Sequence, residues 1–218
     1  QNQLRPGDFV VIQFGHNDQK HPHLQAYNGY PENLRRFIAE IRAKKALPIL
    51  ATPIARNTWT EQNGKLTYND LLHDHAQACI ALGKELNVPV LDLHQAAMED
   101  IIRLGRDVSK SYYHQGDWTH TNDYGAVRAA GYAANALRSL GGTFPEYLPL
   151  MQAVSASIKP WKPEAALLLE RPMRLAGVKD PNGTEEGTAA QDHQAEKDGG
   201  DALARLLAAV QSARGQGG

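Results

Sequence analysis

The chain has 218 residues and a formal net charge of −1, enough for one full domain with a real core, or for a smaller domain plus a tail. Near-neutrality gives no electrostatic basis for binding nucleic acid or an anionic membrane surface, and no stretch approaches the roughly 20 apolar residues that span a bilayer. The single cysteine, Cys79, excludes an intramolecular disulfide and reads as a buried thiol inside a helical pattern.

Residues 9–14, Phe-Val-Val-Ile-Gln-Phe, form a short apolar run of β-branched and aromatic types and predict a buried strand. Leu34, Phe37, Ile38 and Ile41 give helical spacing across Asn33 to Lys45. Pro48 to Thr52 predicts a second strand. Thr52 to Lys65 reads as a loop with Asn63-Gly64 as its turn. Tyr68 to Leu86 predicts a second amphipathic helix, Val88 to Leu93 a third strand, and Leu93 to Leu104 another helix. Asn122 to Leu140 is an alanine-rich helix stopped by Gly141-Gly142. Strands alternating with long helices argue for parallel βαβ units and an α/β domain. Such sheets place their sites at the carboxyl ends of the strands. Polar residues gather there: His16-Asn17-Asp18, Arg56-Asn57 and Asp92.

The composition shifts after Pro149, so the domain is expected over residues 1–149 and a tail over 150–218. Ile158-Lys-Pro-Trp-Lys-Pro is held extended by its prolines. Asp180 to Gly200 has almost no large apolar residue and reads as linker. Ala202 to Ala213 fits a short helix, marginal without something to pack on.

Two constellations carry chemistry. In Asp117-Trp118-Thr119-His120, the aspartate can hold Nδ1–H of His120 and leave Nε2 free as a general base. A helix-capping loop accounts for the same residues. In Gly15-His16-Asn17-Asp18, Asn17 can aim its amide at a developing oxyanion, and Gly15 lets the chain turn at the strand end. A polar turn accounts for these equally. If both readings hold, Asp117 bonds His120 Nδ1 and Asn17 lies on the same rim of the sheet.

Other features stay open. His21-Pro22-His23 and His73-Asp74-His75 have the spacing of metal ligands. The second pair falls on a helix, where i and i+2 do not share a face, so no metal or cofactor is assigned. Trp118, Tyr112 and Tyr113 fit stacking on a sugar ring or packing at the rim. Arg56 fits bidentate pairing with a uronate or a surface salt bridge.

Taken together, Gly-x-Asn-Asp after a buried strand and Asp-x-x-His before the last helix resemble blocks III and V of the SGNH (GDSL-type) hydrolases. Phe14-Gly15-His16-Asn17-Asp18 resembles the rhamnogalacturonan acetylesterase branch. So do Pro48 to Arg56, Val90 to Leu93 and Asp117 to Ala126, which carries the resemblance over about residues 5 to 140. It implies a three-layer α/β/α, flavodoxin-like sandwich and a carbohydrate O-acetylesterase, a serine esterase needing no cofactor. His120 becomes the base, Asp117 its orienter and Asn17 an oxyanion donor. Gly15, His16, Asp18, Arg56 and Trp118 face an acetylated polysaccharide or oligosaccharide. An extracellular or periplasmic setting follows from the same resemblance.

The sequence departs from that pattern in one respect. The family's Gly-Asp-Ser block and its block II glycine have no counterpart. Ser109, Ser111, Ser139, Ser155, Ser157 and Ser212 all lie outside such a context, and Gly200-Asp201-Ala202 has alanine where the serine belongs. The expectation is an amino-terminally incomplete domain whose nucleophile comes from a missing segment. The alternatives are a catalytically inactive SGNH-fold module that binds glycans or serves a structural role, and a metal-dependent hydrolase built on the histidines.

Overall fold

The computed structural model describes residues 4–140 and 143–157. The expected linker, the Ala202 to Ala213 helix and Gly200-Asp201-Ala202 lie outside the described residues. Three strands form a parallel sheet in the order β1 (Phe9–Gln13), β2 (Leu47–Ala51), β5 (Val90–Leu91). Phe9 pairs with Leu47 and Gln13 with Ala51, while Leu50 and Ala51 pair with Val90 and Leu91. All three strands were legible as apolar runs, and the parallel register follows from the helices that join them.

Helices cover both faces. On one, α1 (Gly29–Ala43) and α2 (His73–Leu86) bury Leu34, Ile38, Ile41, Cys79 and Leu82 against Ile12 and Leu50. On the other, α4 (Asp123–Ser139) and α5 (Leu148–Ser157) bury Leu137, Leu150 and Val154 against Ile49, Ala51 and Leu91. Leu50 and its neighbours Ile49 and Ala51 thus serve opposite cores, as the two-residue period of a strand requires. α3 (Leu93–Ser109) packs with Tyr112, Tyr113 and Tyr124 in a third cluster at one end. This is the three-layer α/β/α arrangement.

Three local expectations change. Residues read as loop form a hairpin, β3 (Trp59–Gln62) with β4 (Lys65–Tyr68). Asn63 and Gly64 both take positive φ, 52° and 74°, as the tight turn between twisted strands demands. Tyr68 therefore ends a strand, and the second helix begins only at His73. The expected boundary at residue 149 falls inside α5, whose Leu150, Met151, Ala153 and Val154 are buried. The apolar face of that helix joins it to the core as far as Ser157.

Among the described residues, the outer edge of β1 pairs with no strand, and Val11 and Phe14 are half exposed there. Beside it runs an apolar groove of about 840 Å³ lined by Val10, Ile12, Phe37 and Ile41. Among the described residues, no helix is long and apolar enough to cross a membrane.

The contact between α2 and the sheet is close at Gly83, where an added Cβ would meet Val90 Cγ2 and the Val88 carbonyl. Gly83→Ala is expected to destabilise the chain by about 1–3 kcal/mol through overpacking. Urea unfolding checks this, and an unchanged midpoint would mean that α2 sits farther from the sheet.

Candidate active site

Gly15, two residues past β1, has φ 133°, and a Cβ there would lie 2.9 Å from Pro53 Cγ. Only glycine lets the first strand turn this close to the chain leaving the second. The turn is held by Asp18, whose Oδ2 accepts the Gly15 N–H at 2.9 Å. Asn17 is exposed; its Oδ1 accepts from Lys20 Nζ at 3.1 Å. Its Nδ2 has no acceptor among the described residues, so the amide remains able to donate.

His16 Nε2 donates to the Ile54 carbonyl at 2.9 Å, which fixes the proton on that nitrogen in the neutral ring. Burial lowers its pKa, helped by the charge of Arg56 and, more weakly, that of His120, and opposed by the bond to Ile54. Arg56 is itself buried. Its Nη2 donates to the His16 carbonyl at 2.8 Å, and its charge interacts with Asp117. It is neither a surface salt bridge nor an open uronate clamp; it ties the first motif to the second.

The second motif is a tight loop. Asp117 Oδ2 meets His120 Nδ1 at 2.6 Å, and Oδ1 accepts the N–H of Thr119 at 2.6 Å and of His120 at 3.1 Å. These bonds, the one to the His120 ring first, hold the Asp117 carboxyl far below the usual carboxylate range. The proton therefore stays on the imidazole. His120 is 77% exposed.

Backbone ties fix this loop to the sheet. The Asn57 N–H donates to the Trp118 carbonyl at 2.9 Å, Tyr113 OH to the Ala55 carbonyl at 2.8 Å, and Tyr68 OH to the Arg56 carbonyl at 3.0 Å. Below it, Asn122 donates to the carbonyls of Ser111 and Tyr113 and accepts the Gly125 N–H at 3.0 Å, capping α4. A buried carboxylate, Asp100, binds Arg128, Arg103 and the hydroxyls of Tyr112 and Tyr132. The charge interactions of His16 with His120 and of Arg56 with Asp117 bring the two motifs to one end of the sheet.

Not every polar residue at that rim belongs to the site. Asp92 caps α3 through Gln95 N–H at 3.1 Å and accepts from Thr52 Oγ1 at 3.0 Å. His94, buried, bonds Asp70 at 2.9 Å. His73 approaches Asp70 whereas His75 bonds the Leu24 carbonyl. Among the described residues no three metal-ligating side chains converge. The described serine hydroxyls of known partner bond backbone carbonyls or Asn57, as Ser109, Ser111 and Ser139 do. Among the described residues none bonds His120. Asn57, seen in the sequence only as a polar strand-end residue, emerges as a buried hub; three of its four partners, Arg106, Ser109 and Trp118, are distant in sequence, and no local pattern marks them.

The fold is of the three-layer α/β/α class, with its polar rim at the carboxyl ends of the strands. Residues 1–155 match the model of the GDSL-like lipase/acylhydrolase family, and the chain belongs to that family. It lies on the SGNH branch that resembles rhamnogalacturonan acetylesterases. It is 32% identical over 158 residues to the rhamnogalacturonan acetylesterase RhgT of Bacillus subtilis (strain 168), covering 66% of this chain and 67% of the relative. It is 30% identical over 162 residues to the probable rhamnogalacturonan acetylesterase YesY of the same organism, covering 69% of each. The crystal structure of YxiM, also from Bacillus subtilis, aligns with a TM-score of 0.54 and 28% identity, over 65% of this chain and 39% of that one.

The depressed Asp117 pKa has a definite sign. It adds stability above the unfolded-state value near about 4, and that stability is lost as pH falls through the lower folded value. A carbon-detected NMR titration is expected to find Asp117 still ionised at about pH 3. A midpoint near about 4 would show that its hydrogen bonds do not persist in solution.

Proposed function

We propose that the chain carries the base, its orienter and an oxyanion donor of a carbohydrate O-acetylesterase acting on acetylated pectic or related polysaccharides. The observation that carries this reading is the Asp117–His120 bond of 2.6 Å on the rim that also presents Asn17. The names of RhgT and YesY supply the substrate class.

In this reading a serine hydroxyl attacks the acetyl carbonyl while His120 Nε2 takes its proton. Asp117 keeps the ring oriented and offsets the imidazolium charge. The Asn17 amide donates to the tetrahedral oxyanion. Collapse of that intermediate breaks the ester bond, and the departing sugar oxygen takes the proton back from His120. Water, activated by the same base, then frees acetate from the acyl-serine. The serine is the group the reading still needs. The resemblance implies a Gly-Asp-Ser block on a strand beside β1, and the outer edge of β1, which pairs with no strand among the described residues, supports this. The 218 residues alone then have no meaningful esterase activity.

The chain is to be assayed for acetate release from acetylated rhamnogalacturonan, alone and with the amino-terminal segment of RhgT supplied separately. Activity is expected only in the mixture, and His120→Ala is expected to lower it by about 10⁴-fold or more. Turnover by the chain alone that His120→Ala abolishes would place the nucleophile within these residues. A mixture that binds the glycan and never releases acetate would favour the non-hydrolytic glycan-binding module instead.

A further inference from the structure

Arg56 is a guanidinium buried among neutral partners. It is 7% exposed, and among the described residues it forms no ion pair. Its Nη2 donates to the His16 carbonyl at 2.8 Å. Its Nε, also buried, meets no acceptor among the described residues. A buried charge held only by neutral groups costs stability, so cohesion does not account for it. We infer that Arg56 and Gln19 are positioning residues, which together clamp the peptide that carries Asn17 and so aim the oxyanion donor. The inference rests on the esterase reading and adds to it the means by which Asn17 is held.

The clamp closes two jaws on one cation. The first is the His16 carbonyl. That oxygen and the Asn17 N–H belong to one planar peptide, so a donor fixed on the oxygen fixes the plane from which the Asn17 side chain departs. The second jaw is the Gln19 side chain, which fits in one orientation only. Its Oε1 lies 2.8 Å from Arg56 Nη1 and 3.3 Å from Nη2, and its Nε2 lies 2.7 Å from the Leu71 carbonyl. Reversing the amide would set its NH₂ against the guanidinium and its oxygen against another oxygen. Arg56 therefore grips the residue before Asn17 and the residue two beyond it, and Gln19 passes that grip to the segment leading into α2. That segment is itself fixed, since Asp70 accepts the Leu72 N–H at 3.2 Å and bonds buried His94 at 2.9 Å.

Asn17 needs such a hold. Its side chain is exposed, and its one bond is to the flexible Lys20 Nζ, so its direction must come from the backbone. Local bonds shape the turn: Asp18 Oδ2 accepts the Gly15 N–H, the Gln19 N–H reaches the Gly15 carbonyl at 3.2 Å, and the Lys20 N–H reaches the Asn17 carbonyl at 3.0 Å. All of these lie within residues 15–20 and would travel with the turn if it swung. The ring of His16 ties the turn to the Ile54 carbonyl at 2.9 Å, and one such bond leaves rotation about itself. A planar, forked guanidinium bonded to a second and a third point removes that freedom. Precision matters here, because a shift of about 1 Å in a positioned group can cost a large part of its effect on rate. The buried positive charge also has the sign that a developing oxyanion needs.

Amide relaxation of the nitrogen-labelled full chain tests the clamp. The Asn17 N–H is expected to be as ordered as β1, with an order parameter of about 0.85. Gln19→Ala and Arg56→Lys are each expected to bring it below about 0.6, while the His120 Nδ1 proton keeps its resonance. Gln19 is only partly buried, so Gln19→Ala still reports if Arg56→Lys fails to fold. An Asn17 order parameter that stays near about 0.85 in Gln19→Ala would overturn the inference, and so would loss of the His120 resonance in that variant, which would mean general loosening. Acetate release by the complemented enzyme is scored separately. Arg56→Lys is expected to lower kcat by about tenfold or more with KM unchanged, and to cause no further loss once Asn17→Ala is in place. Equal losses in both backgrounds would show that Arg56 acts other than through Asn17, and would overturn the inference. No acetate release by any form, beside a mobile Asn17 in both variants, removes the esterase and leaves the clamp.

Discussion

The parallel pairing of β1 with β2 is the constraint on which the site depends. Five consecutive residue pairs run from Phe9 with Leu47 to Gln13 with Ala51, so both strands end at the same level. Their following loops must emerge side by side. Gly15 and Pro53 meet at 2.9 Å from an imagined Cβ, which measures how little room this leaves. A slip of one residue would turn Ile12 out of the core and send the Asn17 loop away from Arg56. The Asn17 loop and Arg56 are hung from that shared edge.

From there the construction proceeds by backbone ties, not by ion pairs. The carbonyls of Ile54, Ala55 and Arg56 each receive a side-chain donor, from His16, Tyr113 and Tyr68 in turn. The next residue, Asn57, donates its own N–H to Trp118. Four successive residues after β2 thus bind the β1 loop, the hairpin and the Asp117–His120 loop into one body. Buried carbonyls left without donors would be costly, so the tyrosine hydroxyls are as much a part of the architecture as the strands. The exposed pairs on α3, such as Lys110 with Asp107 at 2.8 Å, add little to stability by comparison.

The sheet and both motifs were legible because their signals are local. An apolar β-branched run such as Phe9 to Phe14 needs no partner to be recognised, and Asp117 lies only three residues from the histidine it holds. The hairpin at 59–68 was not, since its strands mix Glu, Gln and Lys with Trp and Tyr and only Asn63-Gly64 marks the turn. α5 was hidden by the proline at 149, which sits in the first turn where its lack of an N–H costs nothing. The role of Arg56 was hidden for another reason. Whether an arginine at a strand end points outward or inward is decided by what caps it, and the His16 carbonyl lies forty residues away. Long-range partners of that kind leave no periodic trace.

The charges around the pair also divide the chemical labour. Asp117 receives three hydrogen bonds, and its depressed pKa leaves it no tendency to take the proton that the imidazole gains. It can orient and offset charge, and nothing more. Buried Arg56 acts in the same direction, since its charge and that of Asp117 attract. Arg56 would also oppose a positive charge forming nearby, and the nearest candidate is His16, whose pKa it lowers after burial has done so. His16 therefore favours its neutral form and spends its proton on the Ile54 carbonyl, whereas His120 is held at Nδ1 by a carboxylate and is open to solvent. Two histidines on one rim are thus set apart by their partners: a carbonyl holds one as a brace, and a carboxylate orients the other, the ring proposed as the base.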